Sequence, residues 1–226
     1  MVRVTDTKQR IICLDFEGTL VEEVWQLVAR ETGINELKIT TREVPDSKAL
    51  MQKRIEILNQ NNIKLEDLVT ISRKAQPFEG AKEFLARLKE TVPRIAISTD
   101  LAEEFAGSLL ESLDWPAFFG HKFALNSDGS ISHYVFRQDN HKQKLVEAMQ
   151  SLNLEVYVAG DSYNDIPMIQ AADKGFLFRS TPQIREEFPD IPHTESYNEL
   201  YEWLTAGLER PAAEAHSAGR GMLLVR

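Results

Sequence analysis

The segment Asp15-Phe16-Glu17-Gly18-Thr19-Leu20 places two carboxylates two residues apart, directly after the apolar run Ile11-Ile12-Cys13-Leu14. A carboxylate at a strand end can attack phosphorus and split one hard displacement into two easier ones through an acyl phosphate. Amides in the Glu17–Gly18 turn could cradle phosphoryl oxygens, and Gly18 allows the close approach this needs. The bland alternative is a strand-end turn that happens to be acidic. A second segment, Gly160-Asp161-Ser162-Tyr163-Asn164-Asp165, also follows an apolar run. Its two acids, four residues apart, face one crevice if the turn opens a helix, and hard oxygen ligands of this kind suit Mg²⁺. Acids favouring a helix dipole are the alternative.

Together the two turns set Asp15, Glu17, Asp161 and Asp165 in one crevice. At about 4 Å each pair repels by roughly 4 kcal/mol at an effective dielectric of about 20. A divalent cation relieves that repulsion and screens an incoming phosphate from an anionic nucleophile. Ser98, closing the apolar run from Arg94, can donate to a phosphoryl oxygen. Lys142 can pair with Asp15 and the phosphate as a point charge, with Lys144 as its rival.

The elements that must hold these residues alternate. Ile11–Phe16, Arg94–Ser98, Glu155–Ala159 and Gly175–Phe178 read as buried strands. Helical patterns cover Glu79–Glu90, Ala102–Leu113, His141–Leu152 and Tyr163–Ala171. This alternation predicts an α/β fold with a parallel sheet covered on both faces, and ligands then bind beyond the carboxyl ends of the strands. Residues 21–76 break the pattern and are read as a small inserted helical cap, its central helix starting at Pro45. The core domain then comprises residues 1–20 and 77–206. Asn126-Ser127-Asp128-Gly129 lies between β-like runs within Phe118–Phe136 and signals a hairpin. The tail 207–226 lacks periodicity and is expected to be disordered.

Composition narrows the partners. A net charge of −9 disfavours nucleic acid. No apolar run reaches membrane-spanning length and the first ten residues are too polar for a signal peptide, so no membrane partner and a cytoplasmic location are expected. Cys13, the single cysteine, reads as a small core residue. His121, His133, His141, His193 and His216 share no ligand spacing, so no zinc or triad cluster is expected. Trp25, Trp115 and Trp203 read as packing residues, with Trp25 at the border of the pocket.

On a helical wheel from Pro45, Leu50, Arg54 and Leu58 stack along one apolar face. A guanidinium there needs an anionic partner, and its planar fork suits a carboxylate. A small amino-acid phosphate offers one, with Glu23 available for its ammonium group. An internal Arg54–Glu23 salt bridge is the alternative.

Asp15-Phe16-Glu17-Gly18-Thr19, Ser98, Lys142 and Gly160–Asp165 resemble, in order, the four motifs of haloacid-dehalogenase-superfamily phosphatases, over about residues 10–206. The resemblance is nearest to phosphoserine phosphatases, including the bifunctional phosphoserine phosphatase/homoserine phosphotransferase type, which also carries Glu at the second acid. Glu23-Val24-Trp25, Lys53-Arg54, Phe78-Glu79-Gly80-Ala81 and Phe136-Arg137-Gln138 extend it.

The resemblance implies a Rossmann-like core, Asp15 as phosphorylated nucleophile and Glu17 as general acid/base. It places Mg²⁺ on Asp15, the Glu17 carbonyl and Asp161, with Asp165 and Asn164 in support. Substrate contacts fall on Gly18, Glu23, Arg54, Thr99 and Asn164, and Ser98 and Lys142 join the catalytic set. The substrate implied is phosphoserine, with homoserine as a possible acceptor. The alternatives are a phosphatase for another small metabolite and a receiver module merely phosphorylated on Asp. Directly after Ser98 the order is Thr99-Asp100, where the resemblance leads one to expect Asp then Thr.

Overall fold

The computed structural model describes residues 8–40, 43–44 and 46–208. Among the described residues, seven strands form one sheet: β1 (Gln9–Leu14), β2 (Ile95–Ala102), β3 (Ala117–Leu125), β4 (Ile131–Val135), β5 (Leu154–Gly160), β6 (Lys174–Phe178) and β7 (His193–Thr194). Their order is β4-β3-β2-β1-β5-β6-β7. All neighbours run parallel except the β3–β4 hairpin. The four expected strands are β1, β2, β5 and β6. The predicted hairpin forms too, but β3 also pairs with β2 and so extends the main sheet.

Alternation along β1 shows why both faces must be covered. Ile12 and Leu14 belong to one apolar cluster, whereas Cys13 between them belongs to a second on the opposite face. Period-2 side-chain direction makes this unavoidable for a strand that is apolar throughout. The second face is closed by α6 (His141–Ser151) and α7 (Ile166–Ala171) through Val146, Met149, Met168 and Ile169. On the first lie α4 (Ala81–Thr91) and α5 (Glu103–Ser112), through Phe84, Leu88, Phe105 and Leu109. Helices α8 (Pro182–Glu187) and α9 (Tyr197–Thr205), with β7, are described elements beyond those predicted from sequence.

Residues 21–76 carry α1 (Val24–Thr32), a 3₁₀ turn at Asn35–Lys38, α2 (Ser47–Gln60) and α3 (Leu65–Ser72). The two ends of this insertion meet: Val21 bridges Pro77, and the Phe78 amide donates to the Leu20 carbonyl at 2.9 Å. Leu27, Ile55 and Leu68 join the same cluster as the sheet residues, so the insertion adds to the main core. The predicted start of its central helix is corrected. Pro45 lies outside the described residues, and α2 begins at Ser47 with Asp46 as cap, its carboxylate accepting from the Ala49 amide at 2.8 Å. The insertion rests on the hairpin, where Asn59 donates to the Ile131 carbonyl at 2.9 Å and Lys64 to that of Asp128 at 2.7 Å. Beyond Leu208 the expected tail lies outside the described residues. No helix among those described is long and apolar enough to cross a membrane.

Candidate active site

Strand register assembles the site. Leu14 pairs with Ile97 on one side and Ala159 on the other. One step further along the three strands, Asp15, Ser98 and Gly160 stand level at the carboxyl edge. Adjacent strands are about 4.8 Å apart, so Asp15 and Asp161 face each other where the strand order reverses, the place open α/β sheets reserve for ligands. The Asp15 amide donates to the Ala159 carbonyl at 2.9 Å, tying the first acidic turn to β5.

Gly18 makes the approach possible. Its φ is +80°, and a Cβ there would lie 2.4 Å from Asp161 Oδ2. Its own amide donates to the Val21 carbonyl at 2.9 Å, so a phosphoryl cradle from this turn does not include that N–H.

Lys142 is buried between two acids, donating to Asp15 Oδ1 at 2.6 Å and to Asp165 Oδ1 at 2.7 Å. Lys144, by contrast, is exposed. Despite burial, Asp15, Asp165 and Asp100 hold the Lys142 ammonium well above its ordinary pKa, so it stays charged. Asp165 Oδ2 accepts from the Asp161 and Ser162 amides, each at 3.0 Å, and from the Ser162 hydroxyl. With Lys142 on its other oxygen, Asp165 is a strut that braces the second acidic turn.

Carboxyl oxygens of Asp15, Asp161 and Asp165 lie within 4.8 Å of one another. Three carboxylates against one ammonium leave two negative charges unbalanced. Burial, followed by Asp165, pushes Asp15 well above the usual carboxylate range, and burial with Asp165 lifts Asp161 to about 7. A divalent cation would supply the missing charge, and the donors are the hard oxygens such an ion takes. The residues fit a divalent metal ion.

Glu17 faces a different environment. Its Oε1 accepts from the Val24 amide at 2.8 Å, and burial with Glu23 nearby pushes its pKa up to about 8. A carboxyl group that holds its proton at neutral pH can serve as a general acid. Glu23 itself is raised, chiefly by desolvation. Arg54, 8% exposed, donates Nη2 to the Ile39 carbonyl at 2.7 Å and stacks over Trp25 at 4.6 Å. Its Nε has no hydrogen-bond partner, and among the described residues no carboxylate stands within 4.0 Å. The internal Arg54–Glu23 salt bridge is thus not formed. Burial lowers the Arg54 pKa to about 10 against the pull of Glu17 and Glu23.

Ser98 is fully buried with its hydroxyl unpartnered. Thr99 is engaged within β2 where its pairing with β3 slips, its Oγ1 accepting from the Leu101 amide at 3.1 Å. Asn164 donates its side-chain amide to Asp100 Oδ2 and accepts from the Ser162 hydroxyl. Two of the histidines that share no spacing in sequence are nevertheless brought together by the fold. His121 and His141 converge on Asp100, with ligand atoms within 4.8 Å of one another. No local spacing could have revealed this, because β3 carries His121 alongside Ala102 only through parallel pairing with β2.

The family model of haloacid dehalogenase-like hydrolases matches residues 9–173. The phosphoserine phosphatase ThrH of Pseudomonas aeruginosa is 38% identical over 190 residues, covering 84% of this chain and 92% of that protein. A phosphoserine phosphatase of Pseudomonas syringae pv. tomato is 37% identical, covering 84% and 80%. Among solved structures, a phospho-aspartyl intermediate analogue of phosphoserine phosphatase superposes with a TM-score of 0.72 at 23% identity, covering 87% of this chain and 99% of that one. That likeness shows the fold. With its carboxylates gathered at the switch point of a parallel sheet, the chain belongs to the haloacid dehalogenase-like hydrolases.

Proposed function

We propose that this enzyme hydrolyses O-phospho-L-serine with Mg²⁺, carrying the phosphoryl group on Asp15, and that it also passes that group to the hydroxyl of homoserine. The observation that carries the substrate choice is Arg54, a buried guanidinium with no carboxylate within 4.0 Å among the described residues and an unpartnered Nε. A buried cation without an anion is costly, and the α-carboxylate of an amino-acid phosphate supplies the partner. Glu23 is free to take the ammonium group. The relatives named phosphoserine phosphatase support this reading.

In the proposed sequence Arg54 and Glu23 orient the substrate, and Asp15 attacks phosphorus. Asp15, Asp161 and the Glu17 carbonyl would hold Mg²⁺, which when bound would supply Lewis-acid neutralisation of the phosphoryl oxygens. Lys142 and the Ser98 hydroxyl stabilise the charge that develops on those oxygens. Glu17 gives its proton to the departing seryl oxygen, then withdraws one from water or homoserine as that acceptor attacks phospho-Asp15. Residues 21–76 act as a cap over the crevice of a core formed by 1–20 and 77–206, and the enzyme works in the cytoplasm.

The test is to incubate the protein with phosphoserine and Mg²⁺, with and without homoserine, and to quantify phosphate and phosphohomoserine. Both products are expected, with KM for phosphoserine raised about 100-fold in Arg54→Ala, as for loss of a buried charged hydrogen bond. Equal rates on phosphate esters that lack a carboxylate would overturn the substrate assignment.

A further inference from the structure

Asp100 stands two residues beyond Ser98, at the edge of a cavity of about 440 Å³ that Lys48, Lys142 and Asn164 also line. His141 Nε2 lies 2.8 Å from Asp100 Oδ1 and His121 Nε2 3.5 Å from the same oxygen. Both rings are buried, with centroids 4.3 Å apart. The Tyr134 hydroxyl donates to the Asp100 carbonyl at 2.6 Å. Asp100 Oδ2 accepts from the Asn164 amide, whose own oxygen accepts from Ser162. The carboxylate is thus the hub of a chain running from β3 through β2 to the second acidic turn.

Two histidines and a carboxylate this close could also hold a metal ion. The Arg137 amide, however, donates to His121 Nδ1 at 3.1 Å. That contact assigns the lone pair to Nδ1 and the proton to Nε2, which points at Asp100. A ligating Nε2 would need its lone pair there instead. The cluster is therefore held by hydrogen bonding rather than ligation, His141 donating to Asp100 Oδ1 and the His121 N–H facing the same oxygen at 3.5 Å.

We propose that Asp100, gripped by His121 and His141, is a positioning residue that fixes the amide of Asn164 and thereby the turn that sets Asp161 and Asp165 opposite Asp15. This rests on the reading of Asp15 as the phosphoryl carrier. The distinctive variant is Asp100→Asn. It keeps an oxygen for the two histidines but turns an NH₂ toward the NH₂ of Asn164. Two donors cannot bond, so the Asn164 amide must rotate and give up its present arrangement with Ser162.

The experiment is a double-mutant cycle of Asp100→Asn and Asn164→Ala, with kcat and KM measured on phosphoserine and on p-nitrophenyl phosphate. Far-UV circular dichroism and the unfolding midpoint are recorded for each variant. Each single variant is expected to lower kcat about tenfold with a smaller change in KM, as for one lost charged hydrogen bond. The double variant should be no slower than the slower single one, because the second change removes what the first acts through. His141→Gln, which keeps an N–H donor, should recover more of kcat than His141→Ala.

Wild-type kcat in Asp100→Asn, or single effects that multiply in the double variant, would overturn the proposal. So would tight Zn²⁺ binding by the chelator-treated protein that His121→Ala and His141→Ala abolish. If the wild-type enzyme acts on p-nitrophenyl phosphate but not on phosphoserine, the substrate assignment fails, while the cycle on the former still decides the role of Asp100.

Discussion

Replacing Gly18 by alanine puts one methyl group into the closest contact of the site. The added Cβ would stand 2.4 Å from Asp161 Oδ2, 2.5 Å from its Cγ and 2.8 Å from Oδ1. An ordinary carbon–oxygen contact is about 3.3 Å, so Asp161 must retreat by about 0.9 Å. The φ of +80° adds a backbone cost of about 1–2 kcal/mol, because an L-residue there crowds its own carbonyl. Misplacing a reacting or orienting group by about 1 Å costs on the order of 10²-fold in rate. Gly18→Ala should therefore turn over about 100-fold more slowly, need more Mg²⁺ for half-maximal rate, and unfold about 1–2 kcal/mol more easily. Steady-state rates across a Mg²⁺ titration, with thermal unfolding alongside, measure all three. Wild-type kcat with an unchanged Mg²⁺ requirement would refute the claim that Gly18 exists to admit Asp161.

Three more outcomes are expected. The Glu17 pKa of about 8, raised from the ordinary 4.5, means that between those pH values the unfolded chain releases a proton the native state keeps. Its contribution to stability therefore falls as pH rises through that window, and the activity it supports as an acid falls above about pH 8. Glu17→Gln should remove that alkaline limb and lower kcat by about 10²–10⁴-fold, and a limb that survives in Glu17→Gln belongs to another group. Ser98→Ala should lower kcat while leaving the unfolding midpoint unchanged or slightly raised, because it deletes a buried hydroxyl without a partner; a clear loss of stability would show that the hydroxyl is bonded. Arg54→Lys should fail to restore the KM lost in Arg54→Ala, since an ammonium cannot reproduce the fork, and full recovery would mean that charge alone suffices.

How much of this was legible in the sequence follows from how local each signal is. Cys13 and its neighbours announce β1 because a strand covered on both faces is apolar at every position. The acidic turns announce the site because the strands that deliver them are adjacent and parallel. Arg54 stood out because one charged residue interrupts an apolar stripe of α2, whose start was misplaced only because the cap is Asp46 rather than a proline-led first turn. β7 is two residues long and carries no period to detect. The Asp100–His121–His141 cluster was invisible for a different reason. Its members come from β2, β3 and α6, and only strand pairing and helix docking bring them together. The order Thr99-Asp100 looked like an exchange of neighbours; in space Thr99 bonds within β2 to the Leu101 amide and Asp100 reaches Asn164.

The central claim is that Asp15 becomes covalently phosphorylated during turnover. Acid quenching of the protein during reaction with ³²P-labelled phosphoserine and Mg²⁺, followed by peptide mapping, tests it most directly. Label on the peptide containing Asp15, released by hydroxylamine as an acyl phosphate would be and absent from Asp15→Asn, is the predicted result. Turnover at the wild-type rate by Asp15→Asn, or label confined to another residue, would contradict it.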